Sequence, residues 1–216
     1  MNFRLSALAA VTLAVALTGC QREGDLVVNQ GVGITAVLDR CPAVGIPDYT
    51  GDVTVFRTAD STVLNNLDVT ASMTNLRSTC DDSGEKIYSE ASFDVHARRT
   101  DVTSARTVTL PYFVTVLRGG SAVVTKRVGE VTLTFAAGQE RATASGRAGS
   151  FIDRVSATLP DDIRERITAR RRPGDPEAAL DPLSNPEVRA AIARTRYEML
   201  VGFQLSEDQL AYNATR

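Results

Sequence analysis

The chain contains three cysteines, and the first has the most informative neighbours. Cys20 ends the stretch LTGC (residues 17–20), which follows a single basic residue, Arg4, and an apolar run over residues 5–17. A short positive segment followed by roughly 7–15 apolar residues is typical of a secretory signal peptide. A membrane-spanning helix needs about 20 such residues, so a transmembrane anchor is the weaker interpretation.

The LTGC stretch resembles the lipobox of bacterial lipoproteins. In that family the cysteine thiol receives a diacylglyceryl group, cleavage falls just before the cysteine, and the new amino group is acylated. The resemblance covers residues 1–20. It implies that residues 1–19 are a signal peptide and that Cys20 is the first mature residue and carries the lipid, with residues 20–30 forming a lipidated terminus and short linker. An ordinary signal peptide with a chance cysteine is the alternative.

The residue after Cys20 bears on localisation. In the lipoprotein family an aspartate at this position favours the inner membrane, whereas this chain has Gln21. The resemblance therefore implies an outer-membrane lipoprotein that faces the periplasm, with its acyl chains in one leaflet. Each buried methylene contributes about 0.8 kcal/mol, so several chains hold more firmly than one. No cofactor is expected beyond this covalent lipid on Cys20.

The other two cysteines, Cys41 and Cys80, form an even pair in a chain that the signal directs to an oxidising compartment. Such a pair favours a disulfide. The alternative is two buried free thiols. A metal site is not expected, because the chain has one histidine and no CxxC motif.

The remaining candidates for chemistry are few. His96 lies on the polar side of an alternating segment, and no nucleophile or metal partner is evident for it, so it is interpreted as a surface residue. The stretch CDDSGE (residues 80–85) holds three carboxylates but is too short and wrongly spaced for a calcium loop. The chain has no GxSxG, HExxH or phosphate-binding glycine motif. No catalytic residue is predicted, and the protein is not expected to be an enzyme.

A cluster of arginines is the sharpest charge feature. One interpretation is contact with an acidic partner, such as lipid phosphates or a negative protein surface. The stronger one is a helix with acids at its start and bases at its end, as the macrodipole favours. The residues are Arg164, Arg166, Arg170, Arg171 and Arg172.

Period-two alternation of apolar and polar residues dominates the chain from about residue 52, which is typical of half-buried antiparallel strands. Strands are predicted around residues 67–74, 87–98, 108–117, 122–135, 155–159 and 197–205, with a short one at 33–38 and turns at Gly119-Gly120 and Gly138. Residues 108–117 are instead apolar on both faces, which favours a place near the middle of a sheet, although Pro111 complicates that position because proline cannot donate to a ladder. The rhythm predicts an antiparallel β-sandwich that resembles an immunoglobulin or fibronectin type III domain in strand spacing only, since the chain has no tryptophan.

A helical, proline-rich excursion is predicted at about residues 160–195, before the last strand. Asp161 and Asp162 open one helix, Asn185 caps a second with Pro186 at its first position, and the second ends near Thr195. Beyond the last strand, the apolar C-terminal residues are expected to fold back and be held down. Residues 31–216 are thus expected to form one β-sandwich domain with an inserted excursion.

Composition limits the function. The chain has 216 residues, 43% hydrophobic and 23% charged, with a formal net charge of −2. It lacks the basic surface that nucleic-acid binding needs. The preferred interpretation is a lipid-anchored accessory or scaffold that binds another envelope protein without catalysis. The alternatives are a periplasmic module that binds lipid or glycan, and an unrecognised hydrolase.

Overall fold

The computed structural model describes residues 40–58, 61–169 and 180–216. Within these ranges it contains eight strands. They are β1 (Ala43–Gly45), β2 (Asp52–Phe56), β3 (Leu67–Asp81), β4 (Lys86–Arg99), β5 (Arg106–Arg118), β6 (Ala122–Phe135), β7 (Arg141–Asp153) and β8 (Tyr197–Phe203).

The strands form two four-stranded sheets. The first sheet has the order β1-β8-β5-β6 and the second the order β2-β3-β4-β7. All neighbours are antiparallel except β1 and β8, which are parallel. The prediction of a mainly β, two-sheet architecture is confirmed.

One apolar core joins the inner faces of the two sheets. The ring of Phe93 on β4 meets that of Tyr112 on β5 edge to face, with centroids 5.0 Å apart. The Tyr112 hydroxyl crosses to the second sheet and donates to the carbonyl of Arg147 at 2.7 Å. Burial raises the pKa of Tyr112. An edge-to-face aromatic pair with a satisfied hydroxyl ties the sheets together at this point.

Pro111 lies inside β5, a strand with neighbours on both sides. In an antiparallel ladder the N–H and C=O of one residue point to the same neighbour. The Pro111 carbonyl accepts from the Gln204 N–H, so the Pro111 nitrogen, which carries no hydrogen, also faces the β8 side, at the point where β8 has ended. The missing donor therefore costs no ladder bond with β6.

Both predicted glycine turns are confirmed. Gly119 and Gly120 join β5 to β6 with φ of +64° and +77°, and Gly138 has φ of +78°. The two glycines supply the positive φ values of a three-residue loop, residues 119–121, which joins Arg118 to its register partner Ala122.

The predicted strand at residues 155–159 is wrong. These residues form a turn after β7 in which Val155 is exposed. Asp153 accepts from the Ser156 N–H at 2.9 Å through its side chain and from the Ser156 hydroxyl at 2.8 Å through its carbonyl. Local hydrogen bonds of this kind compete with the hydrogen bonds between strands, so residues 155–159 form a turn and not a strand. The strand predicted at residues 33–38 lies outside the described residues.

Strand β7 was missed because its inward side chains are small. Along most of its length, before Ile152, it places small residues opposite the inward-facing residues of β4: Ala142, Ala144, Gly146, Ala148 and Ser150. The large partner side chains fill the space instead: a Cβ at position 146 would lie 2.3 Å from Cζ of Phe93. The Phe93 ring thus lies directly over Gly146.

Gly146→Ala should lower the free energy of unfolding by about 1–3 kcal/mol, because the buried Phe93 ring must move. Gly45→Ala, where a Cβ meets nothing within 4 Å, is the control and should change it by no more than about 0.5 kcal/mol. Urea unfolding measures both. Adding Phe93→Leu should recover part of the loss, and equal effects of the two glycine changes would contradict this packing.

Three α-helices accompany the sheets in the described residues: α1 (Asp161–Thr168), α2 (Pro186–Thr195) and α3 (Glu207–Thr215). Both predicted helix starts are confirmed, and Asn185 accepts from the N–H of Glu187 at 2.9 Å. Helices α1 and α2 share a small apolar cluster, separate from the main core, formed by Leu159, Ile163, Val188 and Ala191. None of the helices in this part of the chain is long and apolar enough to span a membrane.

The C-terminal residues are held down, as predicted, but by a helix. Tyr212 of α3 packs edge to face on Phe56 of β2. Asn213 donates to the carbonyls of Tyr49 and Asp52, both at 2.8 Å. Helix α3 therefore occupies main-chain acceptors along the β2 side of the second sheet.

Candidate functional site

Cys41 and Cys80 form the expected disulfide, with the two sulfurs 2.00 Å apart. It links the chain just before β1, in the first sheet, to the end of β3, in the second. The role of this bridge is structural. Cys20, the predicted lipidation site, lies outside the described residues.

A β-bulge in β3 sets the direction of Cys80. Thr74 pairs with Asp94 and Arg77 pairs with Ser92, so two residues of β3 oppose the single residue Phe93. The first of the two, Asn75, has φ of +52°, a conformation that asparagine tolerates. An extra residue reverses the alternation of side chains between the two faces. Cys80 is consequently paired with the inward-facing Ser89 and lies on the inner side of the sheet.

The described members of the arginine cluster are engaged with carboxylates. Arg164 pairs with Asp161 within α1, and Arg166 pairs with Glu187 of α2 at 2.9 Å. Both are exposed ion pairs, which contribute little to stability. Arg170, Arg171 and Arg172 lie outside the described residues.

His96 is exposed on the outward face of β4. In the acidic turn after β3, Asp81 accepts from the hydroxyl and the backbone N–H of Ser83, and these bonds lower the pKa of Asp81. Asp82 pairs with Arg40. No group of three or more potential metal ligands occurs in the described part of the chain.

Two arginines that the sequence did not single out hold the opposite end of the sandwich-like body. Arg99 is 1% exposed. It comes two residues after the inward-facing Ala97 on β4, so the alternation along this strand could have predicted that Arg99 is buried. Arg106 donates two bonds to Asp68, at 2.8 and 2.6 Å. A two-bond arginine–carboxylate pair is among the strong hydrogen-bonded interactions.

The Asp68–Arg106 pair predicts an acid sensitivity. Hydrogen bonding from Arg106 holds the pKa of Asp68 below its ordinary value of 3.8, although burial opposes the shift. Because the folded pKa is depressed, the pair contributes stability above pH 3.8, and this contribution is lost as the pH falls further. Asp68→Asn should cost about 1–3 kcal/mol at neutral pH, and the difference from the native protein should shrink below pH 3.8. Urea unfolding at several pH values measures it; a pH-independent difference would contradict it.

On the outward face of the first sheet, apolar side chains lie towards the Gly119-Gly120 turn, interspersed with Thr115, Lys126 and Glu198. On β5 and β8 the outward-facing residues alternate with the buried residues of the core. Their register partners on β6 also face outward. The apolar residues of this face include Phe113, Leu117, Val123, Val128 and Leu200. Val123 is 64% exposed and Val128 is 58% exposed. We call these five residues the apolar face.

The outward face of the second sheet gives the contrast. There the equivalent positions near the middle of β3, β4 and β7 are polar: Ser72, Thr74, Asp94, His96, Thr143 and Ser145. A solvated outer face of this kind is the ordinary state of an antiparallel sheet. The apolar face of the first sheet departs from it, and exposed apolar patches mark interaction surfaces.

The apolar face ends at an open sheet edge. Strand β6 is the last strand of the first sheet and has 14 residues. The Pro111 carbonyl points away from β6. Pro111 and Glu130 are register partners, so the N–H and C=O of Glu130 point away from β5. By alternation the N–H and C=O groups of Val128 and Lys126 also point away from β5. In the described chain no backbone partner meets them.

The other edge of the first sheet is the three-residue strand β1. Strand β1 pairs with residues Glu198–Leu200 of β8, and the Thr50 carbonyl accepts from the Phe203 N–H at 2.8 Å. On the second sheet, α3 side chains bind carbonyls along β2. Strands β6 and β7 are the remaining edges. Within the described residues neither pairs with a further strand, although part of β6 lies close to β7, and only β6 adjoins the apolar face.

Two basic side chains flank this edge. Lys126 lies 5.5 Å from the centroid of the Phe113 ring, and Arg127 is exposed. In residues 40–58, 61–169 and 180–216 no carboxylate lies within ion-pair distance of either. Charged residues on an edge strand discourage pairing with another copy of the same strand. The same charges would favour a segment that carries acids.

The β6 edge and the apolar face offer main-chain donors and acceptors, apolar side chains, two basic side chains and the carboxylate of Glu130. No family model, curated protein or solved structure matches this chain. The case for a function therefore comes from the chain's own residues.

Proposed function

We propose that this protein is a lipid-anchored component of the cell envelope that acts without catalysis, as an accessory or scaffold for another envelope protein. The observation that carries the proposal is the juxtaposition of the apolar face with the open edge of β6. An extended segment of the partner would add to β6, as in β-strand addition. The anchor would be Cys20, on the strength of the LTGC stretch.

The groups along the β6 edge indicate which kind of partner segment would bind there. Main-chain groups of Lys126, Val128 and Glu130 would pair with it, giving affinity that does not depend on sequence. Alternate side chains of the segment would lie over Val123 and Val128 and should be apolar. Acidic residues nearby would complement Lys126 and Arg127, since complementary charge improves both recognition and association rate.

The two sheets are further proposed to be immunoglobulin-like. Support comes from the order of connections: β7 returns to pair with β4, and β8 returns to pair with β5, as in a Greek key. The place beside β8 is taken by the short parallel strand β1 instead of a following antiparallel strand. This architecture carries no function of its own.

Membrane fractionation tests the anchor. The native chain should sediment with the outer membrane, whereas Cys20→Ala should be lost from that fraction. If both proteins fractionate alike, the proposed lipid anchor at Cys20 is wrong.

Photo-crosslinking in intact cells tests the partner surface. A photoreactive phenylalanine analogue at Val123 should capture a defined envelope protein. The same analogue at Thr143, on the outward face of the second sheet, is the control and should not capture it. Capture at Thr143 without capture at Val123 would place the interface elsewhere.

A further inference from the structure

A second surface lies on the opposite side of the molecule, at the far end of the second sheet. Tyr88 and Phe151 are direct register partners on its outward face, and their ring centroids are 4.8 Å apart with the planes inclined by 41°. Phe151 is 61% exposed. The rest of this face carries hydroxyl and charged groups, so the two rings form an isolated aromatic pair in a polar surface. We call Tyr88 and Phe151 the aromatic step.

Gly149 allows Tyr88 to lie down on the sheet. A Cβ at position 149 would come within 2.6 Å of the Tyr88 hydroxyl oxygen and 3.1 Å of two ring carbons. One face of the ring therefore rests on the backbone of β7, and Tyr88 as a whole is half-buried. The glycine thus gives the ring room to lie against the sheet.

Hydrogen-bonding groups surround the rings. The Tyr88 hydroxyl donates to Oε2 of Glu90 at 3.0 Å, which raises the pKa of Tyr88. The Arg147 guanidinium lies 3.9 Å from the other carboxylate oxygen of Glu90, and the Arg147 side chain is 79% exposed. Thr79 is the register partner of Glu90 on β3. A carboxylate, a guanidinium and a hydroxyl thus stand in the rows beside the aromatic step.

We propose that this surface binds a saccharide chain built of neutral pyranose rings. A pyranose with equatorial substituents has an apolar C–H face, which fits an exposed aromatic ring, and a rim of hydroxyls that both donate and accept. Glu90 would accept from these hydroxyls and Arg147 would donate to them. Because Arg147 offsets the charge of Glu90, the site suits a neutral sugar better than a carboxylated one.

The shape of the site determines how many sugar units of the saccharide chain it can contact. Tyr88, Phe151 and Glu90 lie on an open sheet face, and the described residues show no wall around them. A flat site contacts the middle of an extended chain rather than enclosing one sugar. This inference is independent of the proposed partner surface, which lies on the other sheet.

The test is titration of the purified mature protein with two probes, the β-1,4-linked hexasaccharides of glucose and of N-acetylglucosamine, followed by calorimetry. At least one should bind at millimolar concentration. Phe151→Leu keeps an apolar side chain but removes the ring face, and it should weaken binding by about tenfold. Glu90→Gln should weaken it too, and Leu64→Ala, at an exposed position before β3, should leave it unchanged.

Thermal unfolding of each variant separates a lost contact from a lost fold. The proposal requires weaker binding by Phe151→Leu at an unchanged melting temperature. Absence of binding by both hexasaccharides, or equal affinity of the native and Phe151→Leu proteins, overturns it. Capture of a protein by a photoreactive analogue at Phe151, with no saccharide binding, would instead identify this surface as a protein contact.

Discussion

Replacing Arg99 with methionine should lower the free energy of unfolding by about 3–5 kcal/mol, the largest effect expected of a single substitution here. The buried guanidinium donates to three backbone carbonyls, those of Gln139, Ser104 and Ala136, at 2.7–2.8 Å. It also lies 5.1 Å from the centroid of the Phe135 ring. Methionine fills the volume but leaves three carbonyls without a donor, and each unsatisfied group costs about 1–3 kcal/mol.

The neighbouring arginine provides the control. Arg98 points outward, with its side chain 64% exposed, and pairs with Glu140. Arg98→Met should change stability by no more than about 1 kcal/mol. Thermal unfolding should show a drop of roughly 10 °C for Arg99→Met. Equal melting temperatures for the two variants would mean that Arg99 does not hold the loops together.

Removing the disulfide should cost about 2–4 kcal/mol. Cys41 and Cys80 are separated by 39 positions, and a closed loop of this size corresponds to roughly 4 kcal/mol of chain entropy, a figure that depends on the entropic account. The effect should be concentrated at β1, which has three residues and pairs with β8 over only those three. Without the bridge little else fixes its position.

The double variant Cys41→Ala, Cys80→Ala separates the bond from the thiols. It should unfold at the same urea concentration as the native protein under reducing conditions, and both should be less stable than the oxidised native protein. Hydrogen exchange should be fastest in the residues that pair with β1. An unchanged midpoint on reduction would contradict a stabilising role for the bridge.

Local signals in the sequence predicted much of the fold. Alternation revealed β3 and β4, and a run that is apolar on both faces revealed β5. Paired glycines revealed the turn at Gly119-Gly120, and the Asn185–Pro186 pair revealed the start of α2. Each of these features is encoded within a few residues. The disulfide also followed from the sequence, because only two cysteines remain once Cys20 is set apart.

Features that depend on distant parts of the chain were not visible. Gly146 is compatible with a strand only because the Phe93 ring, supplied by β4, covers it. The bulge at Asn75 shows in the sequence only as a shift in the alternation of apolar and polar residues along β3. At residues 155–159 the predicted strand does not form, because hydrogen bonds of Asp153 favour a turn. Nor can a sequence say which strand is an edge, and that property makes β6 the candidate site.

The pairing of a partner segment with β6 is the central claim, and proline at position 128 tests it most directly. Val128→Pro removes an N–H that points away from β5, so the β5–β6 ladder keeps its bonds. Val128→Ile keeps the N–H and the apolar side chain. With the photoreactive analogue at Val123, the account predicts loss of the crosslinked product in Val128→Pro and its retention in Val128→Ile, with both variants folded. An undiminished product in Val128→Pro would contradict strand addition at this edge.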